Sequence, residues 1–262
     1  MALHHTLRGV SGSAETTQDT LVTDDLVLHL DASDSNSYGG SGYTWSDISG
    51  QGNDHTLTTL GNGTLDHLLW SYVSAGDASY FDQNLYNNSG IHLMWGPASN
   101  SYGITTTSTV EIWMMSQSPT YGTVFKWRNS ATSGQGRALM SHINYGSSSG
   151  YDYFDVNGCC QVYQRISGSY TDSSLSSPVV RQYVWRYRQS QKPHREIIKN
   201  TVSIHNSGNY ATSNATWNST VPNYFGNRMD ARWYIIRVYK KALTDAEITT
   251  NFNRDKARFG IS

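Results

Sequence analysis

From residue 23 onwards, hydrophobic and polar residues alternate over short segments that turn-forming residues separate. In one of these segments Val110, Ile112 and Met114 would share one face of a strand, with the residues between them on the other face. Short strands at this spacing favour a β-sandwich or a barrel. The predicted strands of this kind are His67–Val73, Ser79–Tyr86, Thr109–Met115, Thr123–Trp127, Ala138–Ile143, Tyr151–Val156, Gln161–Ile166, Tyr183–Tyr187 and Glu196–Ile204.

Two further segments, near the two ends of this pattern, are also predicted strands. Leu26–Ala32 is a compact apolar run, and Trp233–Tyr239 is rich in β-branched and aromatic residues. Between the predicted strands at Tyr183–Tyr187 and Glu196–Ile204, the polar residues Gln189–Pro193 predict a hairpin turn. The pattern therefore places strands from Leu26 to Tyr239.

One short helix is predicted after the last strand. Thr244 and Glu247 have the spacing of a capping box, in which each side chain accepts a hydrogen bond from the backbone amide of the other residue. Apolar residues recur after Asp245, and Gly260 stands where a glycine stops a helix. We therefore expect the helix to begin at about Asp245.

Three stretches of the sequence resemble a known superfamily. They are LVLHLDA at residues 26–32, TWSDISGQGND at residues 44–54 and WYIIRVYKKALTDAEITTNFN at residues 233–253. Together they resemble the laminin-G-like, concanavalin A-like lectin/glucanase superfamily. The resemblance implies an all-β fold: a two-sheet antiparallel β-sandwich (jelly roll) whose end segments lie close together, with a short C-terminal α-helix. The closing NFNRDKARFGI is most similar to versions carried by bacteriophages and large DNA viruses.

Length and charge narrow the class of protein. A chain of 262 residues can bury a large core, so one β domain is enough. Charged residues make up 15%, against about 25% in typical globular proteins. The net charge of −1 removes the electrostatic case for a nucleic-acid partner. No apolar run approaches the roughly 18 residues of a membrane span, so no membrane partner is expected.

The first residues differ in composition from the rest. Residues 1–22 are rich in Ser, Thr and Gly and predict a flexible N-terminal arm, which leaves 23–262 as the sandwich domain. The whole chain has few charged residues and many Ser, Thr, Asn, Gly and Tyr, as exported proteins often do, yet no secretory signal is visible. This combination favours a virion location, with an extracellular protein as the alternative. The expected partners are other virion proteins or sister subunits, and cell-surface glycans.

Catalytic chemistry has little support in the sequence. Glucanases of this fold carry a Glu-x-Asp-x-Glu strand, which this chain lacks, and it has only four glutamates. Glu111 and Glu196 could form a glycosidase pair, although their spacing gives no indication of one. We therefore predict that the chain is not an enzyme. No metal and no cofactor are predicted, with one open alternative: Asp31, Asp34 and Asn36 either form turns or hold a structural calcium ion.

Two groups of residues are candidates for binding. Aromatic rings with polar neighbours can pack against the C–H face of a sugar, although such rings also fill cores. These carbohydrate-binding candidates are Trp95, Tyr102, Trp127, Tyr145, Tyr151 and Tyr153. A basic hairpin could dock onto an acidic capsid or glycan surface, or remain solvated. Its docking candidates are Arg181, Arg186, Arg188, Lys192, Arg195 and Lys199.

The leading hypothesis is a non-enzymatic virion structural protein. It would be a capsid decoration, minor capsid, tail or fibre component that displays a lectin-like sandwich and binds host-surface glycans. The alternative is a soluble carbohydrate-binding module, and a glycan hydrolase or lyase is the third hypothesis. The fold alone does not separate them, because this kind of sandwich carries all three functions.

Overall fold

Two antiparallel β-sheets and one short C-terminal helix form the part of the chain that the computed structural model describes. This part comprises residues 19–60, 70–83, 91–105, 107–116, 121–127, 137–144, 151–157, 179–188, 195–206, 222–227 and 231–262. The predicted fold class, an all-β two-sheet antiparallel sandwich with a C-terminal helix, is confirmed.

Fifteen strands and one α-helix are present in these residues. They are β1 Leu26–Asp31, β2 Thr44–Trp45, β3 His55–Leu60, β4 Trp70–Val73, β5 Tyr80–Gln83, β6 Ile91–Ala98, β7 Ser108–Ser116, β8 Tyr121–Trp127, β9 Arg137–Asn144, β10 Tyr151–Asn157, β11 Arg181–Tyr187, β12 Arg195–Lys199, β13 Val202–Asn206, β14 Pro222–Asn227, β15 Ala231–Tyr239 and α1 Asp245–Lys256. Among the described residues no helix is long and apolar enough to cross a membrane.

The strands fall into two sheets. The first sheet has eight strands in the order β13-β12-β11-β7-β15-β5-β4, with β1 also paired to β15. The second sheet has seven strands in the order β10-β9-β8-β14-β6-β3-β2. Because β1 runs antiparallel to β15, with Leu26 opposite Tyr239, the two end segments are neighbours, as the resemblance implies.

Large apolar side chains fill the space between the sheets. Trp45, Phe125 and Phe225 from the second sheet meet Phe81 and Trp233 from the first, and all five are buried. Removing such rings from water is the main favourable term in folding. This core fixes the inner face of each sheet and, because side chains alternate along a strand, it also identifies the residues on the outer faces.

The predicted strand Glu196–Ile204 is corrected to a hairpin. Asn200 and Thr201 have φ angles of 46° and 68°, both in the left-handed region, and they join β12 to β13. A two-residue hairpin turn requires this conformation. The usual signal is Asn-Gly, and here Thr201 takes the place of the glycine. The pairing of β11 with β12 agrees with the predicted hairpin, although residues 189–194, and with them the turn itself, lie outside the described part.

The helix α1 packs on the outer face of the first sheet. The Thr244 hydroxyl accepts a hydrogen bond from the Glu247 amide at 3.2 Å, and Glu247 accepts one from the Thr244 amide at 2.8 Å. The predicted capping box and helix start are therefore confirmed. A 3₁₀ turn follows α1, and Gly260 ends it with a φ of 65°. Phe252 of the helix stacks on Trp113 of β7 with ring centroids 5.7 Å apart.

The last residues of the predicted arm lie against this side of the sandwich. Leu21 and Val22 pack on an apolar cluster that includes Val184 and Ile248. The backbone amide of Val22 donates to the Asn251 side chain on α1 at 3.0 Å. The predicted arm therefore overlaps the sandwich by two residues. Residues 1–18 lie outside the described part.

Replacing Thr244 with alanine should lower the free energy of unfolding by about 0.5–2 kcal/mol, because the first turn of α1 loses its cap. Thr249 is the matched control: it also lies exposed on α1, and its hydroxyl donates only to the Asp245 carbonyl one turn earlier. Urea denaturation of Thr244→Ala and Thr249→Ala separates the cap from a general effect of threonine. Equal stabilities for the two variants would contradict the capping assignment.

Candidate functional site

Four residues form a row across the outer face of the second sheet. Thr44, Thr56, Trp95 and Tyr224 lie side by side on β2, β3, β6 and β14, each opposite the next in the strand register. Their strand neighbours, such as Leu57, are buried between the sheets, so the row itself faces outwards. We call these four residues the outer row.

The two aromatic residues of the outer row contact each other directly. The rings of Trp95 and Tyr224 are 5.4 Å apart at 66°, in an edge-to-face arrangement. Trp95 remains partly exposed and Tyr224 is buried, so the tyrosine supports the tryptophan ring from the side. Thr44 and Thr56 are exposed beside them. This face therefore presents one supported aromatic ring next to two hydroxyl groups.

A buried polar cluster lies directly behind the outer row. His55 Nε2 is 3.2 Å from Oδ1 of Asn223, and the Tyr102 hydroxyl lies 3.4 Å from the same oxygen. The Asn223 amide donates to the carbonyl of Pro97 at 2.8 Å. We call His55, Gly96, Tyr102 and Asn223 the inner clamp, because its bonds connect β3 and β14 across the intervening strand β6.

The contact between His55 and Asn223 lies directly against Gly96 of β6. A Cβ atom at this position would overlap the His55 ring and lie 2.6 Å from Oδ1 of Asn223. Any other residue would therefore force the two side chains apart. Here the glycine is required by a close approach and not by a positive φ.

The electrostatics of the inner clamp follow from its burial. Burial lowers the pKa of His55 to about 4, against a smaller raising effect of hydrogen bonds to the Asn53 carbonyl and to Asn223. The imidazole is therefore neutral at neutral pH and carries one N–H. Both ring nitrogens lie near oxygen atoms, with Nδ1 3.0 Å from the Asn53 carbonyl. The neutral ring donates to only one of these oxygens.

Among the predicted carbohydrate-binding residues, Trp95 is the one whose described side chain lies partly exposed on an outer face. Tyr102 was predicted in the same set, and for this residue the prediction is wrong: its side chain is 1% exposed, and its hydroxyl belongs to the inner clamp. Trp127, Tyr151 and Tyr153 lie within β8 and β10 of the second sheet, in segments where strands were predicted. Sugar binding by these three residues stays a prediction. Tyr145 lies outside the described residues.

The docking prediction for the basic hairpin is wrong for its two buried members. Arg186 is 3% exposed, pairs with Glu196 and with Asp245, and donates to the Leu243 carbonyl at 2.7 Å. It therefore ties β11 to the start of α1. Lys199 is also buried. A buried cation is not available to an external partner.

The remaining members of the hairpin are less enclosed. Arg181 and Arg188 are partly exposed, and Arg188 pairs with Glu196 at 3.2 Å. Arg195 begins β12 opposite Tyr187. Lys192 lies outside the described residues. For these four residues docking stays a prediction.

The candidate calcium loop has the geometry of turns. Both carboxylate oxygens of Asp31 accept hydrogen bonds from the Arg258 guanidinium, at 2.7 and 2.8 Å. Burial raises the pKa of Asp31, but Arg258 outweighs it, so the net pKa is lowered. Asp34 accepts a hydrogen bond from the Asn36 amide at 2.8 Å. Asp31 does not fit a calcium ligand, because the guanidinium occupies both of its oxygens.

Glu111 and Glu196, the carboxylates of the glycosidase alternative, both pair with arginine. Glu111 accepts from Arg237 at 2.9 Å beneath α1, and Glu196 pairs with Arg186 and Arg188. No group of three or more His, Cys, Asp or Glu residues that could hold a metal ion is found within the described ranges.

Sequence reasoning missed most of the outer row and the inner clamp. Neither β6 nor β14 was predicted, so Tyr224 and Asn223 were not considered. Pro222 and Gly226 interrupt the strand pattern in β14, and both residues normally argue against a strand interior. The adjacent aromatic residues Tyr224 and Phe225 favour a strand, but two residues are too few to predict one.

Comparisons with known proteins give the fold. No family model and no curated protein sequence matches the chain. Among solved structures, domain 4 of AbnA, a GH43 extracellular arabinanase from Geobacillus stearothermophilus, was determined in complex with arabinotriose. It is 13% identical with a TM-score of 0.58, and the match covers 86% of this chain and 97% of that domain.

Two further solved structures have the same fold over part of their length. The binding domain of Paraclostridial Mosquitocidal Protein 1 is 16% identical with a TM-score of 0.54, and the match covers 88% of this chain and 52% of that one. Trypanosoma rangeli sialidase, in complex with 2,3-difluorosialic acid, is 12% identical with a TM-score of 0.52, with 89% and 33% covered. The chain thus spans about half of the toxin domain and a third of the sialidase. It shares with them the fold of a two-sheet antiparallel β-sandwich.

Lowering the pH from about 6.5 to about 4 should lower the free energy of unfolding. Unfolded His55 takes up a proton near pH 6.5, whereas the folded ring does so only near pH 4. At about 1.4 kcal/mol per pKa unit, the loss at low pH is about 3 kcal/mol. Burial also lowers the pKa of His29, which contributes in the same direction.

Urea titrations at several pH values, on the wild type, His55→Gln and His29→Gln, separate the two histidines from the carboxylates. Each variant should have a shallower pH dependence than the wild type. An unchanged dependence in His55→Gln would contradict the assignment of a neutral, buried imidazole.

Proposed function

We propose that this chain is a non-enzymatic carbohydrate-binding domain that binds neutral glycans on the outer row. The observation that carries the proposal is the edge-to-face pair of Trp95 and Tyr224 on an outer sheet face. Aromatic pairs of this geometry hold each other in place, so the tryptophan ring is oriented before any ligand arrives. Binding to an oriented ring costs less conformational entropy than binding to a mobile one.

The chemistry of the outer row suits a sugar. The face of an aromatic ring packs against the C–H groups of a pyranose or furanose ring, and hydroxyl groups bind its OH groups. Thr44 and Thr56 supply hydroxyls that both donate and accept. The four residues of the outer row carry no charge, which suits a neutral ligand, because a sugar carboxylate is usually bound by arginine or lysine. The nearest basic residue in the strand register is Lys126 of β8, opposite Tyr224, so acidic sugars are included in the test below.

The similar folds add support of a general kind. The arabinanase domain was determined with arabinotriose, and the sialidase with a sialic-acid analogue. Sandwiches of this architecture therefore occur in proteins that bind neutral and acidic sugars. Since identities of 12–13% carry only the fold, the ligand proposed here rests on the outer row.

The proposal excludes catalysis by the two candidate glutamates. Glu111 lies between the first sheet and α1, and Glu196 pairs with Arg186, which is tied to the start of α1. Both are therefore across the sandwich from the outer row. A glycosidase needs two carboxyl groups on either side of the same scissile bond. A glycan on the outer row would meet neither of them.

Display on a larger particle, as a virion structural protein, is the finer part of the proposal. Leu21 and Val22 anchor the end of the arm beside α1, on the outer side of the first sheet. The outer row lies on the opposite side of the sandwich. An arm that docks to a capsid, tail or sister subunit would therefore leave the outer row facing away from the particle.

Trp95→Ala should abolish retention on a multivalent array of neutral oligosaccharides that includes arabinotriose, because the ring face is lost. Tyr80→Ala is the matched control, since Tyr80 is a half-buried aromatic on the outer face of the other sheet. Circular dichroism checks that both variants fold. Sialylated oligosaccharides on the same array test the neutral class.

Three outcomes would contradict parts of the proposal. If the wild type is not retained on any glycan, the proposed binding function is wrong. If Trp95→Ala and Tyr80→Ala lose binding equally, the outer row is not the binding site. Polysaccharide cleavage that disappears in Glu111→Gln or Glu196→Gln would favour an enzyme.

Deleting residues 1–20 should leave the melting temperature nearly unchanged and abolish incorporation into particles, because a polar segment of this kind gains its contacts only from a partner. Deleting residues 1–22 is the comparison: it also removes Leu21 and Val22 and should lower the melting temperature. Normal occupancy of the shorter deletion in particles would show that the arm is only a linker.

A further inference from the structure

We propose that the inner clamp is a positioning device for the sugar-binding face. It holds β3, β6 and β14 in the register that sets Thr56, Trp95 and Tyr224 side by side. This inference rests on the proposed function for its biological meaning, but the positioning itself can be measured without a ligand.

Three residues of the inner clamp are neighbours in sequence of residues in the outer row. His55 precedes Thr56, Gly96 follows Trp95, and Asn223 precedes Tyr224. Because successive residues of a strand point to opposite faces, Thr56, Trp95 and Tyr224 each have a clamp residue beside them on the inner face. A displacement of the clamp therefore moves the outer row through the backbone of the same strands.

A β-bulge lies at the clamp, between β6 and β14. Pro222 is opposite Ala98, whereas Tyr224 is opposite Trp95, so two residues of β6 oppose the single residue Asn223. Those two residues are Gly96 and Pro97. A bulge places an extra residue in one strand and changes which side chains face outwards beyond it. The pairing of Tyr224 with Trp95 depends on this bulge.

The Asn223 side chain bonds across this bulge. Its amide nitrogen donates to the carbonyl of Pro97, inside the bulge, at 2.8 Å. Its oxygen lies within reach of His55 on β3 and of Tyr102 in the turn after β6. One buried amide thus connects three segments of the chain. Losing it would remove one hydrogen-bond partner from the buried His55 and Tyr102 side chains, and a buried polar group that loses a partner lowers stability.

The variant Asn223→Leu tests the proposal in the absence of sugar. The protein is labelled with 5-fluorotryptophan, and the Trp95 resonance is assigned by its disappearance in Trp95→Phe. In Asn223→Leu the ¹⁹F resonance of Trp95 should shift or broaden. Gln182→Met is the control, because Gln182 is an equally buried amide that lies on the first sheet and donates to Glu111. Its Trp95 resonance should match the wild type.

The same glycan array gives the second readout. Asn223→Leu should weaken retention about tenfold, equivalent to about 1.4 kcal/mol, while Gln182→Met retains wild-type binding. If Asn223→Leu does not fold, Tyr102→Phe removes a single hydroxyl of the clamp and should move both readouts in the same direction by less. A wild type that binds no glycan contradicts the proposed function, yet the resonance still tests the clamp.

One result would contradict the positioning role of the inner clamp. It is a folded Asn223→Leu, or a folded Tyr102→Phe where the first variant does not fold, whose Trp95 resonance and glycan retention equal those of the wild type. Equal changes in Gln182→Met would overturn it as well, because the effect would then follow from general destabilisation.

Discussion

The rest of this fold depends on one buried cation, Arg237 in the middle of β15. Its guanidinium lies 2.9 Å from Glu111 on β7 and 2.6 Å from Asp255 on α1, and all three side chains are enclosed. Burial alone would lower the pKa of Arg237, but the charges of Asp255 and Glu111 outweigh it and raise the pKa. Charges removed from water are tolerated only when they are paired in good geometry. Asp255 also pairs with Arg254 and Arg258 near the end of the helix, but Arg237 is its partner on the sheet. The ion pair with Arg237 therefore fixes where the helix docks on the first sheet.

That constraint determines which surfaces remain for a ligand. Asn251 of α1 donates to Glu111 and to the Tyr239 hydroxyl, and the same residue accepts a hydrogen bond from Val22. Helix, central strands and the end of the arm thus form one polar network on the outer side of the first sheet. The helix and the end of the arm cover this part of the sheet, so it is not available to a ligand. The outer row lies on the other side, where its threonines and Trp95 are not required by that network and can be used for binding.

The sequence predicts the parts of this molecule that local interactions decide. The capping box at Thr244 and the strand at Trp233–Tyr239 depend on neighbours in the chain, and both are present as expected. Tyr102 and Arg186 were placed wrongly because their environment comes from residues more than fifty positions away: Asn223 for the first, Leu243 for the second. The bulge at Gly96 has the same origin. A glycine in a strand indicates a close approach, but the sequence does not say which side chain approaches.

The outer row is small, and its size has a consequence for affinity. One partly exposed tryptophan ring and two hydroxyls offer little contact area, and the best small ligands gain at most about 1.5 kcal/mol for each non-hydrogen atom. A site of this kind binds a single sugar weakly. Under the proposed function, binding would become useful when many copies act together, because each bound copy raises the effective concentration of the next. An anchor at the end of the arm on the opposite side of the sandwich suits such an arrangement, since it would orient every copy with its outer row towards the same glycan surface.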